Sequence, residues 1–383
     1  MAKRIYVGVG NTARRVKKAY VGINGIARRI KKAYIGVGGV ARPCFSTELE
    51  YWGETPQPLI SGADNLAAAK VGEYAIFGGG MNTANNTSPY LSAVTAYNKA
   101  LVRSLPDELS VARTRLASAS VGGYAIFAGG IWSQNGKQKN SSVAEAYDTS
   151  LTRKIIDSLN RTTYDLIGTQ NTNYAMFIFG DERYSTSYDA YDASLTHVVF
   201  KTVVPMVYDC IADAAAAGVG NYVLFGGGYW VSQNKVIGDM FSVNLSLTTQ
   251  NATALSESRR GLEGAGNKKY AIFAGGRDKV SDLRTVDAYN ESLTRTSATE
   301  LSESYSSLGV GVGGYALFVT TISAYGQQVG NVDTYDEALT HTNNIKLKYS
   351  HILGASVSVG GFALFGGGHT TKGEGSEVEA ITV

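Results

Sequence analysis

The heptapeptide YAIFAGG occurs twice in this sequence, at residues 124–130 and again at residues 270–276. Near copies of it begin at five further positions: Tyr74, Tyr174, Tyr222, Tyr315 and Phe362. The seven segments start 45 to 50 residues apart. A short apolar run that ends in Gly-Gly is typical of a β-strand followed by a turn that needs glycine. The even spacing therefore predicts seven copies of one β-rich unit.

Each unit can be divided into four short strands. The YAIF strand is preceded by a strand of small residues, as in LASASVG at 116–122. It is followed by a second recurring phrase, such as VAEAYDTSLTR at 143–153. Its alternating first half predicts a third strand, and we assign the LTR sequence to a fourth. Four-stranded units of this length are typical of β-propeller blades, whose first strands converge on one axis and favour small side chains.

The seventh unit lacks its last strand, because the chain ends at Val383 before an LTR sequence. The segment YWGETPQPL at 51–59 has the spacing expected of that missing strand. Pairing the two ends would close the ring and remove exposed sheet edges. We therefore predict an all-β fold, a seven-bladed β-propeller over residues 45–383 whose ring is closed by the N-terminal outer strand.

The repeat resembles kelch-type propellers, in which a strand ending in Gly-Gly is followed by a Tyr in the third strand. The matching glycine pairs lie at 79–80, 129–130, 227–228, 275–276 and 367–368, and the matching tyrosines are Tyr97, Tyr147, Tyr191, Tyr289 and Tyr335. Units three and six lack the glycine pair, and LTR or LTH stands where kelch repeats have Trp. The resemblance implies a propeller, and a propeller alone does not decide function.

Residues 1–44 differ from the rest in composition and form a second predicted unit. They contain eleven Lys or Arg and no Asp or Glu, which leaves 24 basic against 32 acidic residues in the remainder. The protein is thus a basic arm on an acidic body. An arm of this charge favours an acidic partner.

The arm consists of three copies of one 14-residue unit, KRIYVGVGNTARRV, KKAYVGINGIARRI and KKAYIGVGGVARPC. Gly-Asn, Asn-Gly or Gly-Gly stands between two alternating runs in each copy, which predicts a two-residue hairpin turn. In the second copy this register places Tyr20 opposite Arg29 and Val21 opposite Arg28.

The arm has too few large apolar residues to fold alone. We expect it to order against a partner, by adding strands to another sheet or by forming a homotrimer. The alternative is a flexible basic tail that binds nucleic acid, and the regular turn chemistry favours an anchor.

The three copies also resemble repeats that open virion structural proteins of bacteriophages and prophages of Gram-positive gut bacteria. This resemblance covers residues 3–43 and implies a virion protein whose arm contacts other virion proteins. No membrane span or export signal is recognisable in the sequence, which fits assembly in the host cytoplasm. The arm residues assigned to anchoring are Tyr6, Arg14, Arg15, Tyr20, Arg28, Arg29, Tyr34 and Arg42.

No catalytic or metal-binding constellation is recognisable in the sequence. Its histidines, His197, His341, His351 and His369, form no triad, and Cys44 and Cys210 lack metal-ligand spacing. His197 and His341 occupy the slot that Arg103, Arg153 and Arg295 fill in sister units, which predicts surface positions. We predict a non-enzymatic protein with no metal and no cofactor.

The loops after the YAIF strands vary in length and content, whereas the strands repeat. In a propeller these loops leave on one face and surround the channel mouth. Aromatic side chains among amides suit sugar rings or a protein interface. The candidate ligand-binding residues are Tyr90, Trp132, Tyr184, Tyr229, Trp230, Tyr325 and His369.

Three functions fit these patterns. The first is a tail-fibre or baseplate protein whose propeller binds a host-surface glycan or protein. The second is a capsid or tail decoration protein without a specific receptor. The third is a bacterial propeller lectin or glycan-active enzyme unrelated to phage. The hairpin arm supports the two virion functions over the third, and we predict the first.

Overall fold

The structure is a computed structural model, and most of the chain forms antiparallel β-sheets. It describes six strands between Tyr6 and Ser46 and, beyond them, residues 49–84, 89–178, 187–201, 211–321, 329–370 and 373–383. Seven four-stranded sheets lie within these residues, with no α-helix and one 3-10 turn at Val231–Gln233. In this described part of the chain, no helix is long and apolar enough to cross a membrane.

The seven sheets share one strand order, in which each strand pairs with the next, from the first to the fourth. The first strands are Ala67–Val71, Ala117–Val121, Ile167–Gln170, Ala215–Val219, Glu263–Gly266, Tyr305–Val312 and Ala355–Val359. The second strands are Tyr74–Gly78, Tyr124–Ala128, Tyr174–Ile178, Tyr222–Gly226, Ala271–Ala274, Tyr315–Thr321 and Phe362–Gly366. The sheets are numbered 1 to 7 in this order.

The remaining two strands complete each sheet. The third strands are Val94–Asn98, Ala144–Tyr147, Ser187–Asp192, Met240–Val243, Val286–Tyr289, Gly330–Tyr335 and Val378–Thr382. The fourth strands are Arg103–Ser104, Arg153–Ile155, His197–Lys201, Thr249–Ala252, Arg295–Ser297, His341–Leu347 and Glu50–Glu54.

Short strands in the loops form smaller sheets of their own. Ile131–Gln134 pairs with Lys137–Asn140, and His369–Thr370 pairs with Gly373–Glu374. Tyr229–Trp230 lies between Ile211–Ala212 and Lys235–Val236.

The last sheet joins distant parts of the sequence. Its fourth strand, Glu50–Glu54, pairs with the final strand of the chain, and Glu54 lies opposite Glu379. The Tyr51 hydroxyl also donates a hydrogen bond to Glu379 Oε1, at 2.5 Å. This is the pairing that the sequence predicted, although the strand is shorter than the 51–59 segment proposed for it.

The apolar core lies between neighbouring sheets. In sheet 1, Ala75, Ile76 and Phe77 are all buried, because the second strand is covered on both faces. Phe77 belongs to a cluster that includes Val357 and Leu364 of sheet 7. Other clusters join further pairs of successive sheets in the same way.

Small residues in the first strands allow the backbones of neighbouring sheets to approach closely. A Cβ built on Gly168 would lie 2.1 Å from the carbonyl oxygen of Ser118 in sheet 2. The Ser118 hydroxyl in turn donates to the carbonyl of Ala68 in sheet 1, at 2.8 Å. The backbone of the adjacent sheet therefore limits the size of side chains in the first strands.

The LTR sequences begin in a turn and not in the fourth strand. Leu151 has a left-handed φ of 64°, and Asp148 Oδ1 accepts the backbone N–H groups of Ser150 and Thr152. This side chain fixes a tight turn, as Asp and Asn commonly do. The fourth strand starts at Arg153, so the prediction that placed all of LTR in a strand is wrong for the Leu and the Thr.

In several sheets, a buried carboxylate of the third strand binds the segment that leads into the first strand. In sheet 2, Glu145 accepts the Ser110 backbone N–H at 3.0 Å and pairs with Arg113 at 2.8 Å and Arg153 at 3.3 Å. Asp287 repeats this arrangement in sheet 5 with Ser256, Arg259 and Arg295.

In sheets 3 and 6, histidine occupies the fourth-strand position that arginine holds in sheets 2 and 5. His197 Nε2 lies 2.7 Å from Asp189 Oδ1, and His341 Nε2 lies 2.6 Å from Asp333 Oδ1. The shared slot was predicted correctly. The predicted surface location is wrong, because both imidazoles are partly buried against these carboxylates.

The arm forms three separate two-stranded hairpins. Their strands are Tyr6–Val9 with Thr12–Arg15, Ala19–Ile23 with Ile26–Ile30, and Lys32–Val37 with Val40–Ser46. The predicted register of the second hairpin is confirmed, since Tyr20 pairs with Arg29 and Val21 with Arg28. Tyr6 likewise pairs with Arg15, whereas a register shift in the third hairpin places Tyr34 opposite Pro43.

Candidate binding site at the channel mouth

A cavity that we call the channel lies between the first strands. It encloses about 430 Å³ and is lined by residues of all seven first strands, almost all of them Gly, Ala, Ser or Val. Lys70 and Gln170 are its largest polar side chains. The channel wall is therefore mainly backbone and small side chains, which leaves its ends as the places where a ligand would find functional groups.

A second cavity, of about 450 Å³, opens where the first strands begin. We call it the mouth. In six sheets the residue at the rim has a left-handed φ of 48° to 61°; these residues are Asn65, Arg115, Asp165, Asp213, Gly261 and Leu353. The backbone N–H of Arg115 donates to Asn65 and that of Asp165 donates to Arg115, at 3.0 and 3.2 Å. Hydrogen bonds thus run from sheet to sheet along the rim.

The charged side chains of the mouth are paired, with one exception. Arg115 holds Asp165 through two contacts, of 2.8 and 2.6 Å. Arg260 lies 3.7 Å from Asp213. Glu263 also lines the mouth, and within the described residues it has no ion pair or hydrogen bond. Glu263 is partly exposed, and desolvation is the cause that raises the pKa of its carboxyl to about 8.

Glu263 occupies a position that is aliphatic in the six sister sheets. The residues at this first-strand position are Ala67, Ala117, Ile167, Ala215, Leu308 and Ala355. Sequence reasoning missed Glu263. The signal was present in the repeat, because aligning LEGAG at 262–266 with LASAS at 116–120 shows the single carboxyl.

Ser306, in sheet 6, is a second polar group of the mouth that sequence reasoning missed. It is 4% exposed, and its hydroxyl has no hydrogen-bond partner in the described part of the chain. Buried hydroxyls are nearly always hydrogen-bonded. Glu263 and Ser306 thus line one cavity, and neither side chain has a hydrogen-bond partner among the described residues.

The loops after the second strands leave beside this mouth. The residue that follows each glycine pair bridges to the chain just before the first strand of the same sheet, as Ile131 does to Thr114 and His369 to Ile352. Tyr229 pairs with Ala212 in the same way. The bases of these loops therefore lie beside the mouth.

The predicted ligand-binding residues differ in how much surface they offer. Tyr90 is buried against its own loop, where it bridges to Met81, which argues against its assignment as a ligand contact. Trp132 is partly exposed on the hairpin formed by Ile131–Gln134 and Lys137–Asn140.

The remaining described candidates are near charged groups or the core. The Arg260 guanidinium lies 4.6 Å from the centre of the Tyr229 ring, and Trp230 packs on the core cluster that includes Ile211. His369 is half exposed, with Nε2 3.0 Å from the buried Asp64 carboxylate.

None of these candidates lines the mouth cavity. Tyr184 and Tyr325 lie outside the described residues. Within the described residues, no group of three or more His, Cys, Asp or Glu side chains could hold a metal ion.

Comparisons with known proteins bear on the fold alone. No protein-family model and no curated protein matches the chain. Solved structures do match, among them one titled "Structure of YjhT", with a TM-score of 0.57 and 14% identity over 76% of this chain and 99% of that one. With its repeated four-stranded sheets, the chain is an all-β protein with a β-propeller-like fold.

Proposed function

We propose that the seven sheets are the blades of a kelch-like β-propeller, and that Glu50–Glu54 closes the ring. Contacts between first strands support this arrangement at several joints. Ser356 in sheet 7 donates to the Gly309 carbonyl of sheet 6 at 2.9 Å, and Asn65, at the start of sheet 1, donates to the Leu353 carbonyl of sheet 7 at 2.7 Å. The channel lining, which includes every first strand, also supports a ring.

We further propose that the protein is a non-enzymatic virion component of a bacteriophage, of the tail-fibre or baseplate type. The arm attaches it to the particle, and the propeller faces outward to bind a host-surface glycan or protein. The observation that carries this proposal is the arm. Three tandem hairpins with a repeated strand-turn-strand pattern precede a body of different architecture and opposite charge, and the repeat resembles those of phage virion proteins.

The distribution of charge explains how such an arm would act. Hairpins with paired Tyr and Arg positions have free strand edges, which can add to a sheet of another protein. A basic arm is drawn to an acidic surface and is repelled by other basic surfaces. Its separate two-stranded sheets suit a segment that completes its fold on a partner.

The test compares three versions of the protein in purified phage particles by quantitative mass spectrometry. These are the full chain, a chain without residues 1–44, and a full-length chain with Arg14, Arg28 and Arg42 replaced by Glu. We expect only the unaltered chain to remain with the particles, while circular dichroism shows the same β-sheet signal for the bodies of all three. Particle association that is independent of the arm would refute the anchor proposal.

A further inference from the structure

We propose that the mouth contains a subsite for the primary ammonium group of an amino sugar, formed by Glu263 and Ser306. This inference deepens the proposed receptor-binding function and rests on it. The group that binds is a cation that donates hydrogen bonds. It contacts the cavity and not the loop aromatics.

The repeat itself provides the first argument. Ala117 and Ala215 hold the position of Glu263 in sheets 2 and 4, and both are buried. The fold therefore accepts an aliphatic residue at this position. Glu263 is partly exposed in the mouth lining, and among the described residues its carboxyl has no partner. Such a carboxyl has no structural use there, and perturbed, unpaired groups concentrate at functional sites.

The second argument is the unpartnered hydroxyl in the same cavity. Ser306 is buried, its Oγ is unsatisfied among the described residues, and it lines the mouth with Glu263. An ammonium group has three N–H donors and no acceptor. It can donate to the Glu263 carboxylate and to the Ser306 oxygen together, which satisfies both groups.

The surrounding charges favour a cation over an anion. Asp213 from sheet 4 is near Arg260, and Arg115 is held by Asp165 across the mouth. Tyr305 of sheet 6 is the remaining titratable group in the lining, and it has an interaction of its own. Among the described residues of the mouth, ionised Glu263 is then the one charge that is not balanced.

A sugar suits the cavity better than an alkylamine. The volume of about 450 Å³ lies within the range of roughly 300–1,000 Å³ typical of small-molecule sites. Asn65, Ser307 and the Arg115–Asp165 pair add polar groups around it, which ring hydroxyls can use. A lysine side chain has no hydroxyls for them.

Binding should release a proton. Because burial raises the pKa of Glu263 to about 8, most of the carboxyl is protonated below that pH. A bound ammonium ion favours the carboxylate. The ligand therefore displaces a proton to solvent as it binds.

The test is calorimetric titration of the full chain with glucosamine, N-acetylglucosamine and a lysine amide, at about pH 6.5, where the amines are charged. Two buffers of different ionisation enthalpy count the protons released. The variants are Glu263→Gln, Ser306→Ala and, as a matched control, Glu73→Gln. Glu73 is exposed in the turn at the other end of the first strand of sheet 1.

We expect glucosamine to bind about tenfold or more tightly than N-acetylglucosamine, with up to one proton released. Glu263→Gln should abolish both the preference and the proton release, Ser306→Ala should weaken binding, and Glu73→Gln should change neither. Equal binding of both sugars, or tighter binding of the lysine amide, would overturn the amino-sugar subsite. Host-cell adsorption that is unchanged in Glu263→Gln would also overturn it, yet would leave the receptor-binding function standing.

Discussion

Arg113 and Glu145 form an ion pair of 2.8 Å in which both side chains are fully buried. Glu145 also accepts the Ser110 N–H and contacts Arg153, so one carboxylate joins the third strand, the fourth strand and the entering chain. The same set recurs around Asp287 in sheet 5. In these two sheets the buried charges fix how the sheet receives the chain from the one before it.

Replacing Arg113 with Met should therefore strongly destabilise the protein. Removing one partner of a buried pair leaves an uncompensated charge and costs about 3–5 kcal/mol, and Arg153 reduces that cost by remaining beside Glu145. Urea unfolding measures the change. The control is Arg115→Met, because the Arg115–Asp165 pair is partly exposed and should be worth about 0–1 kcal/mol. Similar losses in both variants would contradict this account of Glu145.

Acid should weaken the protein through Asp287. Burial opposes ionisation of this carboxyl, but Arg259, Arg295 and the Ser256 hydrogen bonds outweigh it, so its pKa lies below the usual range. A lowered pKa in the folded state gives stability that is present above the unfolded value of about 3.9 and is lost as the pH falls below it. Unfolding free energies measured from neutral pH down to about pH 3 should fall less steeply in Asp287→Asn, which has no proton to gain. An identical slope in both proteins would exclude Asp287 as a source.

Local patterns predicted the parts of the fold that depend on near neighbours. The YAIF strands read as continuous apolar runs because both faces are covered, and two-residue turns fixed the register of Tyr20 with Arg29. Contacts between segments that are far apart in the sequence could not be predicted from it. Nothing near Arg113 in the sequence indicates Glu145, and nothing near Tyr90 indicates that its side chain is buried.

The candidate site was predicted from loop composition, which overlooked the cavity. Aromatic residues in variable loops were a sound guide to the face that carries the loops. They could not show that the mouth is formed by the residues just before each first strand. Glu263 stands out only when the seven first strands are aligned and the position is seen to be buried in sister sheets.

Replacing Glu263 with Ala should stabilise the protein. Four sister sheets place Ala at this position. Glu263 is partly exposed, so removing its unpaired, partly desolvated carboxyl should gain only about 1 kcal/mol. The effect depends on pH in a defined direction. The pKa of this carboxyl is raised to about 8 in the folded state. The protein therefore has its full stability below about pH 4.3, the pKa of Glu in the unfolded chain, and loses stability as the pH rises towards 8.

Chemical unfolding at several pH values between about 5 and 9 measures this effect. The wild-type protein should lose stability across that window, and Glu263→Ala should lose less. The mirror variant, Ala117→Glu, transfers the carboxyl to the equivalent position of sheet 2 and should lose stability with rising pH. A destabilised Glu263→Ala would show that the carboxyl has a structural partner after all.

Two glycines of the channel wall should respond oppositely to the same substitution. A Cβ on Gly168 would lie 2.1 Å from the Ser118 carbonyl oxygen, whereas a Cβ on Gly218 has its nearest neighbour at 3.8 Å, an ordinary contact. Gly168→Ala forces sheets 2 and 3 apart and should cost about 1–3 kcal/mol. Gly218→Ala meets no such obstacle, and the lower entropy of its unfolded chain should stabilise the protein by up to about 1 kcal/mol. Equal effects of the two substitutions in thermal unfolding would mean that close approach of the first strands does not set the requirement for small residues.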